Sequence, residues 1–218
     1  MPVENNNEVS LKELREGFYS CRTFEVSNLW RRSFLLSIFQ VLGFILYGLP
    51  ASGLLNAAPG ASNLLTLNQA ACAAALFGMS FAVIWIMMAK GSKAWYEVYE
   101  RYIFEIEQAE NDGLKIPERY RLGALCRPWE MNSNLFSKKA GRYSPSRLNI
   151  TIGTVLLTTW FAVLVFHYAV SVVHYTNAEA AGTGHLLMLI LIPTVFLTIA
   201  LSALYNKWGR SRSLTETI

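Results

Sequence analysis

The sequence predicts an all-α, polytopic membrane protein with four transmembrane helices, the second extended into a long cytosolic helix. Three observations predict it. Four apolar stretches, roughly Ser33–Ser52, Ala70–Ala89, Leu148–Tyr175 and His185–Tyr205, each approach the ~20 residues a helix needs to cross hydrocarbon. All 19 Lys and Arg fall in the N-terminal arm, the middle segment or the C-terminal tail. The connections Gly53–Gln69 and Thr176–Gly184 contain none, so the positive-inside rule puts both termini and the middle segment in the cytoplasm.

The chain then divides into a cytosolic amphipathic arm (1–32), a first transmembrane hairpin (33–90), a cytosolic helix and connector (91–147), a second transmembrane hairpin (148–206) and a cytosolic tail (207–218). The 53% hydrophobic content is clustered rather than spread. The net charge of +4 sits beside membrane ends, where Lys and Arg set topology and meet anionic headgroups, so no nucleic-acid partner is expected. Cys21, Cys72 and Cys126 show no paired spacing, and no disulfide is expected. No cleavable signal is expected either, because MPVENNNEVS is polar and acidic.

In order along the chain, Ser10-Leu11-Lys12-Glu13 reads as a capping box. Leu11, Leu14, Phe18 and Cys21 follow at helical spacing and predict a short amphipathic helix. Trp30-Arg31-Arg32 marks the inner interface. Pro50 is expected to stop the first span near Gly48-Leu49-Pro50, leaving Ala51–Gln69 as an outer loop.

The second span places Ala70, Ala74, Gly78 and Ala82 in one row of small residues, which lets another helix backbone approach closely. Plain abundance of Ala and Gly in membrane helices is the blander explanation. A heptad seam also runs through Ala71, Ala74, Gly78, Phe81, Trp85, Met88, Ser92, Trp95, Tyr99, Tyr102, Ile106 and Ala109. Beside it lies an alternating-charge row, Lys93, Glu97, Arg101 and Glu105. No proline interrupts Ala70–Glu110, so one helix of about 60 Å is expected at 1.5 Å per residue, with Gly91 its weak point.

Asn111–Arg142, with Gly113, Pro117, Gly123, Pro128 and Gly141, reads as a connector. Ser144-Pro145 fits an N-cap followed by an N1 proline and starts the third span. Thr151, Thr154 and Thr158 share a face, and such threonines by default bond their own helix carbonyls. Pro193 is expected to kink the fourth span.

The only candidates for a metal or pH-responsive site are His167, His174 and His185. No Asp or Glu lies within the spans, so no metal site and no cofactor is expected. His167 is the deepest of the three and the best functional hint. No nucleophile–base pair, phosphate loop, HExxH or intramembrane acid is present, so neither an enzyme nor an ordinary ion-coupled transporter is expected.

The run from Trp85-Ile86-Met87-Met88-Ala89-Lys90-Gly91-Ser92-Lys93-Ala94-Trp95 to Glu97, Glu100 and Ile103 resembles the second-helix exit of the RipA family of octameric bacterial membrane proteins. Phe24-Glu25 with Trp30-Arg31-Arg32, and Tyr143-Ser144-Pro145-Ser146-Arg147-Leu148-Asn149, are similar to that family's leads into its first and third spans. The resemblance implies a bacterial inner-membrane homo-oligomer, an octamer, with no established enzymatic activity.

The reading that follows is a non-enzymatic oligomeric inner-membrane protein, a scaffold or partner-binding ring that presents cytosolic helices to a protein partner while its spans contact lipid. The alternative is an oligomeric pore or channel, such as a membrane-permeabilising effector in phage defence. The expected oligomer interface is Ala74, Gly78, Ala82, Trp95, Tyr99, Tyr102 and Ile106.

Overall fold

The computed structural model describes residues 9–58, 63–108, 116–117, 121, 144–177 and the single positions 195, 198, 199 and 202. Three α-helices account for nearly all of them: α1 (Leu11–Asn56), α2 (Leu64–Gln108) and α3 (Pro145–Asn177). Each is long and apolar enough to cross a membrane. The expected fourth span, His185–Tyr205, lies mostly outside the described residues, of which Val195, Thr198, Ile199 and Ser202 are helical.

The start of α1 follows the capping-box expectation. The Glu13 amide donates to Ser10 Oγ at 3.3 Å, and the Ser10 amide donates to Glu13 Oε2 at 3.1 Å. The backbone and side-chain bonds from Ser10 hold the Glu13 carboxyl below its ordinary range. What this exposed carboxylate adds to the helix start is present above the ordinary carboxylate range and fades as pH falls through the lowered value.

Two expectations for α1 are corrected. The amphipathic segment and the first span are not separate helices, and Pro50 does not end the span: α1 is unbroken for 46 residues with Pro50 inside it. Proline removes one donor and crowds the carbonyl four residues back, whereas a helix that stops in an apolar setting orphans several backbone groups at once. Past Pro50, Ser52 Oγ donates to the Leu49 carbonyl at 2.8 Å and Asn56 Nδ2 to the Ser52 carbonyl at 2.9 Å. The expected outer loop at Ala51–Gln69 shrinks accordingly, since α2 begins at Leu64.

The second helix runs without a break from Leu64 to Gln108, and Gly91 does not interrupt it. Ser144 and Pro145 start α3 as expected, with the Leu148 amide donating to the Ser144 carbonyl at 3.0 Å. Thr154 and Thr158 donate back to the Ile150 and Thr154 carbonyls at 3.0 and 3.1 Å.

The helices contribute to two compact units. One comprises Met1–Arg32 with Ala89–Leu148, the other Ser33–Met88 with Asn149–Ile218. The second unit has a core of Cys72, Ala75, Trp160 and Leu164, edged by Tyr47, Leu76, Met79 and Val163. Gly78 exists for close approach: a Cβ there would lie 2.5 Å from Trp160 Nε1 and closer still to its ring carbons. Gly43 faces the same tryptophan, with Cζ2 at 3.2 Å from a built Cβ and the Gly78 Cα at 3.7 Å. Large indole on one helix and glycine on the other two let the three backbones close around Trp160.

Candidate functional site

In the Ser33–Met88 and Asn149–Ile218 unit, the buried polar side chains bond to one another in three rungs, each tying together all three helices. In the first, Trp85 Nε1 donates to Asn149 Oδ1 at 2.8 Å and Asn149 Nδ2 donates to Ser33 Oγ at 2.6 Å. In the second, Trp160 Nε1 donates to Gln40 Oε1 at 2.7 Å and Gln40 Nε2 donates to the Gly78 carbonyl at 3.1 Å. In the third, His167 lies between Tyr47 Oη at 3.1 Å and Asn68 Oδ1 at 2.8 Å.

The α1 members, Ser33, Gln40 and Tyr47, are seven residues apart, the spacing that returns a side chain to one face of a supercoiled helix. On α3, Trp160 and His167 keep the same step. Gln40, Asn68, Asn149 and His167 are all buried. Hydrogen bonds between membrane helices average only ~0.6 kcal/mol each, so the rungs fix register and helix rotation more than they add stability.

The third rung settles the histidine's tautomer. Asn68 Nδ2 donates to the Leu64 carbonyl at 2.8 Å, so its Oδ1 faces the ring. An amide oxygen can only accept, hence Nδ1 carries a proton, and in the neutral ring Nε2 accepts from the Tyr47 hydroxyl. Neutral imidazole thus meets both partners correctly. Ser171 Oγ, one turn on, donates to the His167 carbonyl at 2.7 Å.

The Met1–Arg32 and Ala89–Leu148 unit uses charge instead. Glu107, with a side chain fully buried, receives Arg15 Nε at 2.7 Å and Nη2 at 2.6 Å. Tyr19 Oη donates to the same oxygen at 3.4 Å, and its ring lies 4.8 Å from the Arg15 guanidinium carbon. Burial first, then the Glu107 charge, raises the Tyr19 phenol above its ordinary value. Seven residues on along α1 and seven back along α2, Arg22 grips Glu100 at 2.8 and 2.7 Å. The matched steps in opposite directions make the pair antiparallel. Arg32 Nη1 donates to the buried Ser92 Oγ at 3.1 Å.

The expected interface residues fall as follows. Ala74, Gly78 and Ala82 are buried within the chain, Gly78 against Trp160. Tyr102 stacks on Phe18 of α1 at 5.2 Å, and Tyr99 lies 6.3 Å from Phe18 and 6.0 Å from Trp95. Ile106 is half-buried. The most buried side chains of this half of α2 are Ser92, Ile103 and Glu107. Ile103 and Glu107 lie one position on from Tyr102 and Ile106. A helix of 3.6 residues per turn drifts ~20° per heptad, so about four heptads shift a strict seam by roughly one residue.

Of the charge row, Lys93 pairs with Glu97, and Arg101 with Glu105 at 3.8 Å. His174 belongs to α3, but its side chain, like His185, lies outside the described residues. Among the described residues, no three His, Cys, Asp or Glu are grouped to hold a metal ion. Sequence reasoning missed Gln40, Asn68 and Asn149. The available signal was an amide inside an apolar run, with polar neighbours seven residues away on either side in the case of Gln40.

Three long apolar helices locked by buried polar rungs define a polytopic helical membrane protein. A family model matches residues 12–170, well over half the chain, and the chain belongs to the octameric membrane protein family, 8xMP. The match takes in every rung residue and both Arg–Glu pairs that join α1 to α2. No curated protein and no solved structure matches the chain.

Proposed function

We propose that the chain is the non-enzymatic subunit of an octameric ring in a bacterial inner membrane. The ring acts as a scaffold, with the Met1–Arg32 and Ala89–Leu148 unit offered to a cytosolic protein partner. One observation carries this reading: the interhelical polar side chains of Ser33–Met88 and Asn149–Ile218 spend their hydrogen bonds on one another. Ser33, Gln40, Asn68, Asn149 and His167 are buried in bonded rungs and do not present a polar track to water or substrate. Selectivity filters expose rings of carbonyls or charges, a use incompatible with groups already bonded in a buried core.

Potassium-loaded liposomes carrying the purified octamer are the direct test. No leak is expected at neutral pH, and rapid leak without a partner would favour the pore. Leak confined to below about pH 6 would place the control on an imidazole, whose ordinary pKa is about 6.5.

The membrane orientation follows from charge segregation: four spans, with both termini cytoplasmic. Reporter fusions at Ala57 and Ala180 are expected to read outside and one at Gly123 inside. An outside signal at Gly123 would invert the arrangement and remove the cytosolic scaffold.

A further inference from the structure

Eight identical copies closed by one rotation require a heterologous interface, in which each copy presents two different patches, each complementary to the other. The structure offers a concave and a convex one. α1 and α2 enclose an apolar groove of about 620 Å³ with walls of Leu46, Leu49 and Phe77. Ala70, Ala73 and Ala74 floor it, and Ala70 and Ala73 are exposed. Small floor residues bring the helix backbone within reach of an incoming side chain, and such van der Waals contact is the main force between helices in lipid.

The convex patch is on α3. Its Trp160, Leu164, His167 and Ser171 point into the unit. The opposite side of the same turns carries Ala162, Val165, Phe166 and Ala169, all exposed, with Phe166 at 63%. Groove and ridge share a level. Gln40 bonds both Trp160 and the Gly78 carbonyl, Leu164 meets Cys72, and His167 meets Tyr47 and Asn68, which sets the Trp160–His167 turns level with the Ala70–Phe77 floor on α2 and with the Leu46 end of the groove on α1.

We infer that the groove is the seat for α3 of the neighbouring copy: Phe166, flanked by Val165, Ala162 and Ala169, enters between Leu46, Leu49 and Phe77 over the alanine floor. Each copy then gives its α3 ridge to one neighbour and its groove to the other, and the contact repeats around the ring. The inference rests on the ring proposed above for this octameric family and is independent of whether the ring conducts.

The test uses two differently tagged full-length chains, with Cys21, Cys72 and Cys126 replaced by serine or alanine and one new cysteine each. Ala73→Cys on one tag and Phe166→Cys on the other, co-expressed and oxidised in the membrane, should give a disulfide-linked dimer carrying both tags. Because each chain holds a single thiol, that product can only join two copies. Ala73→Cys paired with Ile152→Cys, exposed on α3 at another level, should give none. An octamer by native mass without the 73–166 product, or with equal yield from the control pair, overturns the inference and leaves the scaffold standing. As a second measurement, Ala73→Trp fills the groove from an exposed position and should abolish the octamer while helical content is retained. Normal assembly of Ala73→Trp would mean that lipid or residues 185–205 cover the groove, which also rejects a seat for α3.

Discussion

Gly78→Leu is expected to prevent α1, α2 and α3 from closing on one another, and Gly78→Ala to cost about 1–3 kcal/mol. The first added carbon already falls 2.5 Å from Trp160 Nε1 and still nearer its ring carbons. The indole cannot step aside cheaply. It is fully buried, its Nε1 is committed to Gln40 Oε1, and Phe44 stacks on it at 4.5 Å. Moving it also strains the bond from Gln40 Nε2 to the Gly78 carbonyl itself. Thermal unfolding in detergent, followed by tryptophan fluorescence, measures the loss. Gly91→Ala is the matched control. Nothing lies within 4 Å of its added carbon, so the change should be neutral or stabilise by up to ~1 kcal/mol. Equal behaviour of the two alanine variants would refute the close approach at Gly78.

That contrast shows what the sequence could and could not disclose. A row of small residues signals close approach, and Gly78 makes one. The sequence did not say that the approaching group is Trp160 of the same chain, because a row of absences carries no information about what fills it. The apolar spans, the capping box at Ser10 and the N-cap at Ser144 were legible because each depends on residues within one turn or one window. The passage of α1 through Pro50 was not. It turns on whether a broken helix would orphan more groups than one missing donor, which depends on the surroundings rather than on the proline. The heptad seam of α2 was legible in period, and the burial within one chain falls one residue on at its far end, at Ile103 and Glu107, as helical drift dictates.

The polar rungs occupy the middle ground. Ser33, Gln40 and Tyr47 repeat every seven residues in plain view, yet a repeat on one helix does not name its partners on two others. Trp85 with Asn149, and Trp160 with Gln40, become pairs only once register is fixed. His167 stands out in the sequence as the deepest of three histidines. Its environment turns it into a link between Tyr47 and Asn68, with Nδ1–H aimed at the Asn68 oxygen because the Asn68 amide is oriented by the Leu64 carbonyl.

Arg15→Met is expected to cost about 3–5 kcal/mol, while Arg22→Met costs at most ~1 kcal/mol, although the two arginines make the same forked bond to a glutamate one heptad apart. The difference is burial. Glu107 has no exposed side-chain surface and Arg15 only 24%, whereas Arg22 and Glu100 are 31% and 32% exposed. Water can take over solvation of Glu100 when its arginine is removed. At Glu107 the carboxylate keeps the Tyr19 hydroxyl at 3.4 Å but loses the Arg15 charge that helps to offset its removal from water. Arg15→Met with Glu107→Met should recover most of the loss, because the charge that needed compensation is gone and apolar side chains of similar volume take its place. Chemical unfolding of the four proteins in one detergent gives the comparison. Similar losses for the two single variants would mean that burial does not set the cost, and that the deep Arg15–Glu107 pair is solvated as freely as the outer one.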